Sequence, residues 1–180
     1  MFMLALATLL YLTVSVVGVS AARPDYSHVR DTISQLGETG ARLGPLTSYG
    51  VFLPVGFALA VIAYFSLAID RHVALLAASL ATGYLGGALF RCDPGAPSRG
   101  TWRQQVHNLC GQAEYLGGAY ALYRTAVQAG PLTAAPAVVV VLVSAINVVT
   151  GQSRVRGLLQ RIAELTLFIS LALALLRSGA

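Results

Sequence analysis

Apolar residues in this chain come in long runs separated by short polar stretches. Met1–Ala22 is apolar throughout, and at about 1.5 Å per residue a helix of that length crosses a hydrocarbon core of roughly 30 Å. Similar runs follow: Leu46 to Ile69, then on to Phe90 after the tight turn Asp70-Arg71-His72, then from near Val106, from Leu132 to Val149 after Gly130-Pro131, and from about Gly157 to Leu176. The pattern predicts an all-α fold, a polytopic membrane bundle of six transmembrane helices in one domain over residues 1–180, with a short interfacial helix between helices 1 and 2. Pro54 falls near the start of the second helix, where a neighbouring helix can satisfy the carbonyl it frees. In the third, Ser79, Gly83 and Gly87 recur every four residues and form a small-residue stripe for close helix packing.

Val19, Ser20 and Ala21 resemble a signal-peptide cleavage site, but no basic residue precedes the first run and the run exceeds a usual signal core. It is therefore read as a retained helix.

Arg23 to Gly44 is the longest polar interruption and holds His28 together with Asp25, Asp31 and Glu38. Asp25 or Ser27 can cap a short helix that Gly37 ends. Val29, Ile33 and Leu36 would form its apolar stripe and His28, Asp31 and Gln35 another, so the helix should lie along the membrane interface. A second polar loop, Arg91 to Gln105, is rich in Pro and Gly and reads as a fixed turn. In the fourth helix His107 and Glu114, seven residues apart, project along one face. The fifth carries Ser144, Asn147 and Gly151 on one stripe. Arg161 and Glu164 lie one turn apart in the sixth, a spacing that permits a salt bridge.

Composition narrows the class. Of 180 residues 56% are hydrophobic and only 11% charged, with mean hydropathy +0.70. A water-soluble domain carries about 25% charged residues, so this is a membrane protein. The net charge of +5 comes from arginine alone, and no basic stripe interleaved with aromatics points to nucleic acid. The partners to expect are membrane lipids and a lipid or small-molecule ligand; no cofactor is named by these residues.

With six crossings, alternate helix ends share a leaflet. His28, Asp31, Ser34, Arg91, Asp93, His107, Glu114, Asn147, Arg161 and Glu164 then fall on one side, while both termini and two short turns fall on the other. Ionisable groups in lipid cost several kcal/mol unless paired or hydrated, so these ten are expected to converge on one polar cavity near the interface. Two chemistries fit. In a binding protein, Arg23, Arg91 and Arg161 pair an anionic headgroup or small polar ligand, with Tyr49, Trp102 and Tyr115 at the rim. In a membrane-embedded hydrolase, His28, Asp31, Asp93, His107 and Glu114 supply zinc-type ligands, or Ser34 acts as nucleophile with a histidine base. Neither an HExxH motif nor a paired-histidine spacing is present, and whether the chain is an enzyme stays open.

The Arg23-Pro24 start and the Asp31-Thr32-Ile33-Ser34-Gln35-Leu36-Gly37 core resemble the first-loop signature of the domain of unknown function 998 family, multi-pass prokaryotic membrane proteins in which an acid and Ile-Ser-Glu-Leu-Gly follow helix 1. Phe90, Asp93-Pro94-Gly95 and His107 match its second signature. The resemblance covers nearly the whole chain and implies residence in the cell (inner) membrane, with no activity attached. Gln35 stands where the family has Glu, which removes one carboxylate from any metal or acid-base role, and Ala96 stands where a second Cys is often found, leaving Cys110 to pair with Cys92. A disulfide between these two is expected only if their side of the membrane is oxidising. Nine arginines fall on the polar side and three on the other, which by the positive-inside rule places the polar side in the cytoplasm. Arginines paired within a site report insertion poorly, and the family bias is opposite, so the reading leans to the outside.

Overall fold

A computed structural model of the chain describes residues 1–129, 134–150 and 153–179. Among them are six α-helices and no strand: α1 Phe2–Ala21, α2 Leu53–Ser66, α3 Arg71–Leu89, α4 Trp102–Ala129, α5 Ala135–Thr150 and α6 Arg156–Arg177. A π-helical turn, Leu46–Phe52, runs directly into α2. Among the described residues four stretches are long and apolar enough to cross a membrane: Phe2–Ala21, Leu46–Ser66, Arg71–Leu89 and Arg156–Arg177. Apolar Ala135–Val149 is shorter, and α4 opens with the polar turns Trp102 to Asn108.

Helix α3 is the most enclosed element, packed chiefly between α2 and α4, while α5 packs on α6 and α4, and α1 on α2 and α6. The small-residue stripe works as predicted. A Cβ on Gly117 of α4 would strike Ser79, one on Gly83 would strike the Glu114 carboxyl, and one on Gly87 would sit 3.8 Å from the His107 ring. The proline prediction also holds. Pro54 has no N–H for the carbonyl four residues back, Gly50, and the Tyr11 hydroxyl of α1 donates to it instead. Large apolar side chains such as Leu10, Phe57, Tyr64 and Leu173 face outward, as membrane-crossing helices require.

Several boundaries differ from the sequence reading. Helix α2 stops at Ser66, whose carbonyl accepts from both Ile69 and Asp70 N–H and so turns the chain. Asp70 Oδ1 then caps α3, accepting from His72 N–H at 2.7 Å. Helix α4 begins at Trp102, four residues before Val106, because the Asp93 carboxylate accepts from Thr101 N–H at 2.7 Å and from its hydroxyl at 2.8 Å. The Gly130-Pro131 connection, the Leu132 start and Gly151 lie outside the described residues.

The interfacial helix is a correction. In place of a helix capped at Asp25 or Ser27, the segment forms one 3-10 turn, Ile33–Gly37, capped by Thr32, whose backbone and hydroxyl donate to Gln35 Oε1. A longer helix would need the Val29 carbonyl to accept from Ile33. That carbonyl instead accepts from Leu158 N–H at 2.9 Å, and Ile33 N–H donates to Gln160 Oε1 at 2.7 Å. The loop thus spends its backbone hydrogen bonds on α6. Ile33 and Leu36 are buried, but Val29, expected on the same stripe, is exposed.

Candidate functional site

The polar ends of α1, α3, α4 and α6 do meet, through the two loops, and arginines make most of the joints. Arg91 Nε donates to the Gly37 carbonyl at 2.8 Å and its terminal nitrogen to that of Glu38 at 2.6 Å. Arg161 reaches the carbonyls of His28 at 2.7 Å and Asp31 at 2.9 Å, together with the Tyr26 hydroxyl. Buried Arg156 bridges both loops, donating to Gln35 Oε1 at 2.8 Å, Gly95 O at 2.6 Å and Ala96 O at 3.2 Å. Arg23 pairs with Glu38, whose other oxygen accepts from Gly95 N–H at 2.7 Å. Gly95 and Ala96 both have positive φ, 79° and 45°, so Arg156 and Glu38 hold a left-handed turn that the side chain of Ala96 disfavours.

The ten residues singled out by sequence do not line one cavity. Ser34, Glu114 and Glu164 face a common hollow of about 30 Å³. Arg91 and Arg161 staple loop carbonyls, and Asp93 holds Thr101, whose hydroxyl accepts from Gln104 N–H at the start of α4. Asp31 is gripped at the surface by Arg30, with contacts of 2.9 Å, and accepts from Ser27 N–H at 2.8 Å. Burial alone would raise its carboxyl, but the hydrogen bonds from Arg30 and Ser27, with the Arg30 charge, outweigh it and hold the pKa below the ordinary value. His28 Nε2 pairs with Ser20 Oγ at 3.0 Å. Desolvation and the Arg161 charge lower its pKa, favouring the neutral ring. His107 Nδ1 donates to the Phe90 carbonyl at 2.9 Å. It shares with Glu114 the face turned to α3, as the seven-residue spacing predicts. Asn147 stands apart on α5, its Oδ1 buried without a partner.

The salt bridge that the Arg161–Glu164 spacing permits is not formed. Arg161 points to the loop, and Glu164 accepts from the Tyr84 and Tyr115 hydroxyls at 2.8 and 2.9 Å. Among the described residues no three His, Cys, Asp or Glu side chains converge to hold a metal ion. His28, Asp31, Asp93, His107 and Glu114 each sit in separate surroundings, and neither histidine bonds Ser34. Glu38, Arg156, Gln160 and Tyr84 were not among the candidates read from the sequence; Gln35 was named for its place in the first-loop signature and Tyr115 for the rim, neither with the partner it has here. The tyrosines gave a faint signal, since polar rings deep in apolar, glycine-rich helices need hydrogen-bond partners.

Both cysteines are free. Cys92 Sγ donates to the Ser34 carbonyl at 3.3 Å, and Cys110 lies against Gly86. Burial, then the nearby Glu38 charge, pushes the Cys92 thiol up to about 12, so only a trace of thiolate exists at neutral pH. In the folded protein Cys92 is expected to resist maleimide at neutral and mildly alkaline pH, and to react rapidly once SDS opens the loop. Equal rates in both states, read by mass spectrometry, would show that the loop does not enclose it.

A larger hollow of about 420 Å³ lies where α1 ends, between the 36–43 segment and Pro94. Its walls are apolar at Val19, Ala22, Leu36 and Leu43 and polar at Arg23, Glu38 and Arg42. Among the described residues exposed Arg42 has no hydrogen-bond or ion-pair partner. None of the ten sequence candidates lines this hollow.

These features define an all-helical, membrane-like protein with several apolar helices and a stapled polar end. The chain belongs to the family described as protein of unknown function (DUF998), which matches residues 5–177, nearly the whole length. No curated protein and no solved structure matches it.

Proposed function

We propose that this is a six-crossing protein of the cell membrane whose polar end binds the anionic headgroup of a membrane lipid, or a small anion of the same chemistry. The observation that carries this reading is the hollow beside α1, where unpaired Arg42 stands with Arg23, itself already donating to Glu38 and the Gln35 carbonyl, above a wall of Val19, Ala22, Leu36 and Leu43. A guanidinium with free donors favours phosphate or carboxylate oxygens, and the apolar wall continues the α1 surface along which an acyl chain would lie. The separated carboxylates and histidines give the hydrolase reading no comparable support.

Purified full-length protein reconstituted with phosphatidylglycerol and phosphatidylcholine tests this. Wild type should retain the anionic lipid selectively through detergent washing, and Arg42→Ala should weaken retention about tenfold, the loss of one charge-assisted pair. Arg99→Ala, which alters an exposed arginine outside the hollow, should retain as wild type. Competition by inorganic phosphate would identify a free anion as the ligand, and equal retention by Arg42→Ala and wild type would remove the site.

A further inference from the structure

A second enclosed site lies deeper, between α3, α4 and α6, and owes nothing to the headgroup reading. Glu114 and Glu164 are each 5% exposed and face the same hollow of about 30 Å³, roofed by Ile33 and Ser34. Such a space accommodates about one water molecule. The two carboxyls are partnered differently. Glu164 accepts a phenolic O–H on each oxygen, from Tyr84 at 2.8 Å and Tyr115 at 2.9 Å, the satisfied pattern of an ionised carboxylate. Glu114 has no partner at Oε1. Its room is reserved by Gly83 across the helix interface, where a Cβ would overlap Oε2.

Among the described residues no cation pairs with either carboxyl. The other titratable groups nearby are the phenols Tyr84 from α3 and Tyr115 from α4, with Cys110 packed on Gly86 and His107 turned to the Phe90 carbonyl. The π turn contributes Phe52, the 3-10 turn Ile33 and Ser34, and α6 the neutral Gln160. Two like charges in a buried, uncompensated space strongly disfavour each other, so one of the two carboxyls tends to keep its proton. A metal ion fits poorly, because both Glu164 oxygens are already engaged and hard cations want about six oxygens. A proton needs one.

We propose that Glu114 is a proton-binding group of the membrane interior, working against the fixed Glu164 carboxylate and exchanging with the polar end through a water in the hollow beneath Ile33 and Ser34. On release the Glu114 O–H bond breaks and its proton joins that water, leaving a carboxylate and a hydronium ion. Uptake is the reverse, and no electron is transferred. Gln160 lines the hollow and also accepts from Ile33 N–H at 2.7 Å, so one side chain ties the hollow to the turn above it.

Infrared difference spectroscopy of the full chain in lipid nanodiscs, with pH as the only variable, reads the site. Wild type should show a protonated-carboxyl band that persists above about pH 6, where ordinary carboxyls have ionised, and that disappears on further deprotonation. Glu114→Gln should abolish the band, Glu114→Asp should retain it at a shifted position, and Asp25→Asn, at an exposed loop position, should leave it unchanged. The absence of such a band in wild type, or its survival in Glu114→Gln, would overturn the assignment. So would loss of the band when sodium chloride replaces choline chloride at fixed ionic strength, which would make the occupant a metal cation.

Discussion

Gly157→Ala is expected to detach the polar end from α6 before the helices themselves come apart. A Cβ at this position would meet the Asp31 backbone, with its carbonyl carbon at 2.8 Å and its nitrogen at 2.9 Å. Backbone atoms cannot rotate aside as a side-chain tip can. Overpacking of this kind costs roughly 1–3 kcal/mol, and the neighbouring joints would be lost with it: Leu158 N–H to the Val29 carbonyl, Gln160 to Ile33, and Arg161 to the carbonyls of His28 and Asp31. We expect a total near 3 kcal/mol, at about 1 kcal/mol per hydrogen bond less what water restores. SDS titration followed by helix content and by Cys92 labelling measures it, and the labelling should appear at lower SDS than helix loss. Gly111→Ala is the contrast. Nothing lies within 4 Å of a Cβ there, and alanine favours a helix by up to about 1 kcal/mol over glycine, so that variant should be neutral or slightly stabilised. Equal behaviour of the two would mean that α6 and the loop are not in contact.

Arg156→Ala should produce the other large loss. Arg156 is 9% exposed, and its side chain makes three hydrogen bonds, all to acceptors in the two loops. Bonds from a charged donor contribute about 1.5–3 kcal/mol each when their acceptors cannot rehydrate, and water will reach some of these carbonyls once the side chain is gone. A net loss of about 3 kcal/mol follows, concentrated on the Gly95-Ala96 turn, which needs help to keep Ala96 at φ 45°. Ala96→Gly in the Arg156→Ala background should recover part of the loss, because glycine takes that conformation without strain. If SDS resistance is unchanged in Arg156→Ala, the arginine does not hold the turn.

What could be read from the chain in advance follows the range of the forces involved. The six helices were legible because each is announced by its own apolar run, and the glycine stripe of α3 because its period is local. The 3-10 turn was not, because its competitor for backbone hydrogen bonds, Gln160, is 127 residues further on. The start of α4 was hidden for a similar reason, since the carboxylate that fixes its capping residue Thr101, Asp93, lies eight residues earlier in a loop whose path no periodicity describes. At the site, burial of charge could be inferred from the cost of placing it in lipid, but partner choice could not. Arg161 and Glu164 have the spacing of a salt bridge and each prefers another partner. The arginine count carries less weight on orientation than its ratio suggests, because Arg23, Arg91, Arg156 and Arg161 are engaged by groups of the protein itself.

The contacts of Arg91, Arg156 and Arg161 fall mainly on main-chain oxygens. Every amino acid carries that oxygen, so these joints keep the path of the chain without themselves fixing which side chain stands at the residue they hold. Three guanidinium groups thus do for this end of the molecule what a neighbouring strand does in a sheet, and recognition can be retuned on a surface whose shape is set from beneath.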